Sequence, residues 1–172
     1  MASLIVDRFF LLSRITAISM AVFACLRLWL LYDCWGEISL EPTITILSTM
    51  LVGAVYDMAF VFYLNIPLVL ILWLVPQKFD QRIGFKILVD VLYIIILFVL
   101  FITVAAELLF WDEFSVRFNF ISVDYLIYSH EVSQNIMQSY PVAKIMIGIS
   151  CLVAVTFAFF KPRATVSLKH AG

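Results

Sequence analysis

The side chains best suited to chemistry lie together in residues 110–141, FWDEFSVRFNFISVDYLIYSHEVSQNIMQSYP. His130 stands next to Glu131, with Asp124 nearby, and such groups can transfer protons or ligate metals. The stretch has no HExxH motif, no second histidine, no GxSxG motif and no glycine-rich phosphate loop. We therefore expect no catalytic residue and no metal ligand in this chain.

The same stretch is better suited to contact with a lipid headgroup. A guanidinium and an amide suit a phosphate, and the stretch offers both in Arg117 and Asn119. Aromatic rings beside charges are typical of a membrane–water interface. We expect residues 111–141 to form one or two amphipathic helices that lie on the membrane surface. The predicted lipid or headgroup contacts are Trp111, Arg117, Asn119, Asp124, Tyr125, His130 and Glu131.

Apolar elements must hold this segment at the membrane, and the composition predicts them. Of the 172 residues, 65% are hydrophobic and only 13% are charged, which is typical of an integral membrane protein. The net charge of −1 and the scattered basic residues give no reason to expect nucleic acid as a partner. The apolar runs predict an all-α, polytopic fold with a single transmembrane domain of four transmembrane helices. The predicted helices are residues 9–32, 43–75 with a kink at Pro67, 87–110 and 142–160.

Charge asymmetry predicts the topology. The loop 33–42 carries three acids and no base, whereas the loop 76–86 carries three bases and one acid. Basic residues concentrate in cytoplasmic loops, so an odd number of crossings must separate these two loops, which favours one long helix over two segments at 43–75. We expect a multi-pass protein of the bacterial cytoplasmic (inner) membrane with both termini cytoplasmic and the segment 111–141 outside. The first apolar run is too long for a cleaved signal peptide and is expected to be retained.

Three ionisable residues are predicted at membrane depth, where each is a candidate functional group. Asp57 is fourteen residues into the second helix, about 21 Å from its outer end at a rise of about 1.5 Å per residue. Arg27 and Glu107 both lie near outer helix ends, so we expect them to be level with each other, well above Asp57, and to form an ion pair if their two helices are neighbours. Asp57 is then either a structural polar contact or a proton or ion site.

The run RFNFISVDYLIYSHEVSQNI, residues 117–136, resembles the membrane region of bacterial lipoteichoic acid synthase-like proteins. These are sulfatase or phosphoglycerol transferase relatives in the alkaline phosphatase superfamily. Val55 stands where the family's second helix has a basic residue, which is a departure from its pattern. The other residues that carry the resemblance are Glu107, Phe110, Trp111 and Ser139-Tyr140-Pro141, and, in the second helix, Gly53, Tyr56-Asp57, Tyr63 and Pro67.

The resemblance implies a fold of five transmembrane helices followed by an extracytoplasmic catalytic domain with a metal site. The full-length members are phosphoglycerol or phosphoethanolamine transferases or sulfatase-like hydrolases. The chain stops after its fourth predicted helix, so none of the family's catalytic or metal residues can be assigned here, and a divalent metal is expected only in that further domain. We expect a membrane-anchoring, lipid-facing N-terminal part that is not catalytic by itself, with membrane phospholipids and a catalytic domain or other membrane subunits as partners. The alternative is a complete small four-helix membrane protein that acts as a partner subunit or a transporter-like binding module.

Overall fold

The computed structural model describes residues 2–38, 41–80, 82–115 and 139–160. All secondary structure in these ranges is helical, and four of the helices are long and apolar enough to cross a membrane. The prediction of an all-α fold with four transmembrane helices is therefore confirmed. The helices are α1 (Ala2–Asp33), α2 (Trp35–Ile38), α3 (Thr43–Leu74), α4 (Ile83–Phe114) and α5 (Val142–Phe160), with a 3₁₀ turn at Gln77–Phe79 between α3 and α4.

Helix α3 is one continuous helix of 32 residues that contains Pro67. A helix of this length measures roughly 48 Å, which exceeds a hydrocarbon core of about 30 Å, so part of it must tilt or extend into the headgroup region. The helix ends at Leu74 because Pro76 disfavours helical backbone in the residue before it. Val75 accordingly has extended backbone angles, φ −82° and ψ 121°.

Helix α4 ends in a left-handed residue. Ser115 has φ 53°, and its N–H donates to the carbonyl oxygen of Trp111 at 2.8 Å. This bond closes the last turn in the way that a glycine usually does at a helix end. The regular helix of α4 therefore ends at this residue. Residues 116–138, which hold most of the predicted interfacial segment, lie outside the described residues.

Two compact units divide the chain, and the boundary falls within α4. The first unit comprises Met1–Ile96 and Phe160–Gly172, and the second comprises Leu97–Phe159. In the first unit α1 and α3 pack in antiparallel directions, with Phe23 of α1 edge-on to Phe60 of α3 at a centroid distance of 5.6 Å. The buried positions of the two helices recur every three or four residues, which gives each helix one packed face. They are Ile15, Ser19, Phe23, Leu26, Arg27 and Leu30 on α1, and Asp57, Val61, Asn65, Leu68 and Leu72 on α3.

Candidate functional site

A buried ion pair joins α1 to α3 in the first unit. The Arg27 guanidinium donates through Nη2 to Oδ2 of Asp57 and through Nη1 to the carbonyl oxygen of Met50. Arg27 is only 9% exposed and Asp57 only 6% exposed. Two opposite charges in direct contact offset part of the cost of removing each from water.

Gly53 makes room for this arrangement. A Cβ atom on Gly53 would lie 3.0 Å from Cζ of Arg27 and 3.2 and 3.3 Å from its two terminal nitrogens. Met50, Gly53 and Asp57 are spaced by three and four residues, so they share one face of α3. The guanidinium therefore lies flat against the α3 backbone, between a carbonyl oxygen on one side and a carboxylate on the other.

The structure corrects the predicted depth of Arg27. Arg27 was expected to lie well above Asp57, and this expectation is wrong, because the two side chains are in contact. The depth estimate measured only the helical rise from each helix end and took the outer ends of α1 and α3 as level. It left out the vertical offset between the two helices and the length of the arginine side chain. The acidic partner that the structure identifies for Arg27 is Asp57. The predicted contact with Glu107, which is 4% exposed in the second unit, stays a prediction.

Ser19 of α1 and Asn65 of α3 are two further buried polar residues, and they lie on the same packed faces of these helices as the ion pair. Each lies eight residues along its helix from a member of the ion pair, so the antiparallel packing places them at the same level, about 12 Å from the pair. Asn65 donates through Nδ2 to the carbonyl oxygen of Val61 at 2.8 Å. Its Oδ1 and the Ser19 hydroxyl, both buried, have no hydrogen-bond partner among the residues that the structure describes. Burial of such groups in an apolar environment is costly. Ser19 and Asn65 therefore form a polar level, that is, two polar residues at the same height in the otherwise apolar interface of α1 and α3.

Sequence reasoning missed Ser19 and Asn65, although a signal for both was present. Each is a polar residue two helical turns from the charge on its own helix, and therefore on nearly the same face. Serine is too common in apolar helices to stand out by type alone. Only the shared spacing of eight residues on two helices distinguishes the pair from its surroundings.

A second polar contact joins the end of α4 to the start of α5 in the second unit. The Tyr140 hydroxyl donates to Oε1 of Glu113 at 2.7 Å and lies 3.4 Å from Oδ2 of Asp112. The hydrogen bond to Glu113, together with partial burial and the negative charge of both carboxylates, raises the pKa of Tyr140 to about 12. This contact places Glu113, near the end of α4, beside Tyr140, which precedes α5 by two residues.

The remaining predicted site residues divide between the described and the undescribed parts of the chain. Trp111 lies in the last turn of α4, where it is half-buried. The other predicted headgroup contacts lie outside the described residues. They are Arg117, Asn119, Asp124, Tyr125, His130 and Glu131.

The four apolar helices define the class: this chain is a multi-pass α-helical membrane protein. The chain matches no family model, no curated protein and no solved structure. Within that class, its distinguishing features are the ion pair of Arg27 and Asp57 over Gly53, the polar level of Ser19 and Asn65, and the link from Tyr140 to Glu113.

Proposed function

We propose that this chain is the membrane-anchoring, lipid-facing part of a phosphoglycerol transferase-type protein and performs no catalysis by itself. In this proposal it lies in the bacterial cytoplasmic membrane with both termini inside, and its outer segment lies beneath an extracytoplasmic catalytic domain. The observation that carries the proposal is the role of the two buried charges described in the first unit. Arg27 and Asp57 hold two helices together and are almost inaccessible to a solute.

A binding site for a transported solute would need polar groups that the solute can reach. The Asp57 carboxylate is instead contacted by the guanidinium of Arg27, and that guanidinium is pressed against Gly53. A buried ion pair of this kind fixes the relative position of two helices, although its net contribution to stability is small. A fixed pair of helices suits an anchor, whose task is to hold an attached domain at a constant height above the bilayer.

The contact of Tyr140 with Glu113 supports the same proposal on the other unit. It joins the end of α4 to the residues just before α5. Residues 111–141 are predicted to lie on the membrane surface, and Arg117 and Asn119 are the predicted contacts to a phospholipid phosphate. The sequence resemblance, which is concentrated in residues 117–136, is to phosphoglycerol transferase-type proteins, and a membrane anchor of this kind would belong to such a protein.

The mass of the native protein tests the proposal directly. An antibody against the loop between α3 and α4 should detect, in membranes of the source organism, a product much larger than the 19.7 kDa of this chain. The same product should contain an extracytoplasmic domain that protease removes from the outside of intact spheroplasts. A native product of 19.7 kDa would contradict the proposal and favour a small independent membrane protein.

The polar level of Ser19 and Asn65 favours the second candidate, a transporter-like module, because it leaves two buried oxygens unpartnered in the described structure. A double variant separates the candidates. Arg27→Met with Asp57→Leu replaces the ion pair by apolar side chains, a change that buried pairs often tolerate. If the chain is an anchor, this variant in proteoliposomes folds and binds phosphatidylglycerol like the wild type. If wild-type vesicles show a proton or sodium flux that the folded double variant lacks, the transporter-like module is favoured instead.

A further inference from the structure

The loop between α3 and α4 holds two cations on one aromatic ring. Nζ of Lys78 lies 5.5 Å from the centroid of the Phe79 ring, and Cζ of Arg82 lies 4.6 Å from the same centroid. Both distances are within the range of a cation–π interaction. Because both distances are measured to the same centroid, the two positive charges lie within about 10 Å of each other.

Backbone hydrogen bonds preform this arrangement. The Phe79 N–H donates to the carbonyl oxygen of Pro76 at 3.0 Å, and the Arg82 N–H donates to the carbonyl oxygen of Phe79 at 2.9 Å. The Lys86 N–H then donates to the carbonyl oxygen of Arg82 at 3.2 Å as α4 begins. Lys78 and Arg82 therefore project from a hydrogen-bonded turn. Binding of an anion would then require little further ordering of the backbone.

Large apolar side chains flank the turn on both sides. Trp73 is 79% exposed at the end of α3, and Ile83 is 79% exposed at the start of α4. Apolar side chains that point away from the protein, followed within a few residues by exposed cations, are typical of the boundary between acyl chains and headgroups. Asp80 lies in the same turn, and the turn remains positive because Lys78 and Arg82 together outnumber it.

We propose that Lys78 and Arg82, held on the ring of Phe79, bind the phosphate of an anionic phospholipid in the adjacent leaflet. Arginine and lysine both donate charge-assisted hydrogen bonds to a phosphate, and here one turn presents both. A lipid is favoured over a soluble phosphate because Trp73 and Ile83 place the turn at the depth of lipid headgroups. The site lies in the first unit and includes none of residues 111–141, and it does not rest on the function proposed above.

The test uses the full chain in detergent micelles, titrated with phosphatidylglycerol or with phosphatidylcholine, with bound lipid counted by native mass spectrometry. Lys78→Gln and Arg82→Gln should each lower the affinity for phosphatidylglycerol about fivefold, the factor that corresponds to about 1 kcal/mol per basic residue near a charged surface. Binding of phosphatidylcholine should not change. Phe79→Leu, which keeps both charges and removes the ring, should also weaken the binding of phosphatidylglycerol.

Arg14→Gln is the matched control, because Arg14 also lies over a ring, that of Phe10 at 5.2 Å, and no second cation is assigned to that ring among the side chains that the structure describes. It should leave phosphatidylglycerol binding nearly unchanged. An equal loss in Arg14→Gln and Arg82→Gln would overturn the proposal, because net charge alone would then explain the binding. Displacement of phosphatidylglycerol by millimolar inorganic phosphate would also overturn it, since the ligand would then be a soluble anion. Lys78 and Arg82 are both exposed, so neither substitution threatens folding.

Discussion

Gly53→Ala offers a sharp test of the ion pair, because this substitution usually stabilises a helix. In an unobstructed helix interior, alanine is favoured over glycine by about 0.8–1 kcal/mol. At Gly53 the added Cβ would stand 3.0 Å from Cζ of Arg27. Carbon atoms pack best at about 3.5–4.0 Å, so the two groups would overlap by roughly 0.5–1 Å.

Arg27 has little freedom to withdraw from that overlap. Its two terminal nitrogens are engaged by Met50 and Asp57, which lie on opposite sides of Gly53 along the same helix face. Overpacking of this kind costs about 1–3 kcal/mol. Subtracting the gain in helix propensity, we expect Gly53→Ala to lower the free energy of unfolding by up to about 2 kcal/mol.

The assay is a double-mutant cycle, read as the free energy of unfolding in a denaturant titration of the protein in micelles. In the background Arg27→Ala/Asp57→Leu the obstruction is gone, so Gly53→Ala should stabilise the protein by about 0.8–1 kcal/mol. Gly148→Ala in α5 is the matched control, because a Cβ there meets no described atom within 4 Å, and it should stabilise both backgrounds equally. If Gly53→Ala stabilises the wild type as much as Gly148→Ala does, the described packing of Arg27 against α3 is wrong.

Three further predictions concern the pair and the two ends of the outer segment. Asp57→Asn leaves the Arg27 guanidinium buried without a countercharge and should cost about 3–5 kcal/mol in the same titration; a loss below about 1 kcal/mol would show that the pair is dispensable. Because the pKa of Tyr140 is raised from 10.0 to about 12, its link to Glu113 should be fully stabilising below pH 10 and lost as the pH rises through about 12. Tyrosinate absorbance should therefore show a high-pH phase that Tyr140→Phe removes, and identical titration curves would contradict the contact. Ser115→Gly should stabilise the protein by about 1 kcal/mol because Ser115 has φ 53°, whereas Ser115→Ala, the control, should give no gain.

The sequence alone was sufficient to predict four apolar helices, because a long apolar run in a membrane must satisfy its own backbone hydrogen bonds. Pro76 was likewise sufficient to predict where α3 ends. The beginning of α4 was harder, since it starts at Ile83 rather than near residue 87. Hydropathy detects the part of a helix that lies in the hydrocarbon, whereas the backbone hydrogen bonds continue through Lys86 into the polar turn.

The partner of Arg27 could not be obtained by counting residues along each helix. Pairing depends on the rotation and the vertical offset of α1 against α3, and neither is encoded in hydropathy. Gly53 could have indicated the partner of Asp57. A residue without a side chain four positions before Asp57 leaves space on the same helix face for a side chain of another helix. The polar level of Ser19 and Asn65 becomes evident only after the ion pair has fixed the register of the two helices.

The separation of Arg27 and Asp57 in the chain has a consequence for biogenesis. Arg27 is synthesised thirty residues before Asp57, an interval of roughly 2–6 s at about 5–20 residues per second. Throughout that interval Arg27, near the outer end of the inserted α1, would lack its countercharge; an arginine costs about 2.5–3.5 kcal/mol at a helix centre and less nearer the end. Helix α1 should therefore remain beside the insertion machinery, where water or headgroups can reach Arg27, until α3 emerges. The two helices would then enter the lipid together, with the charge of each already neutralised by the other.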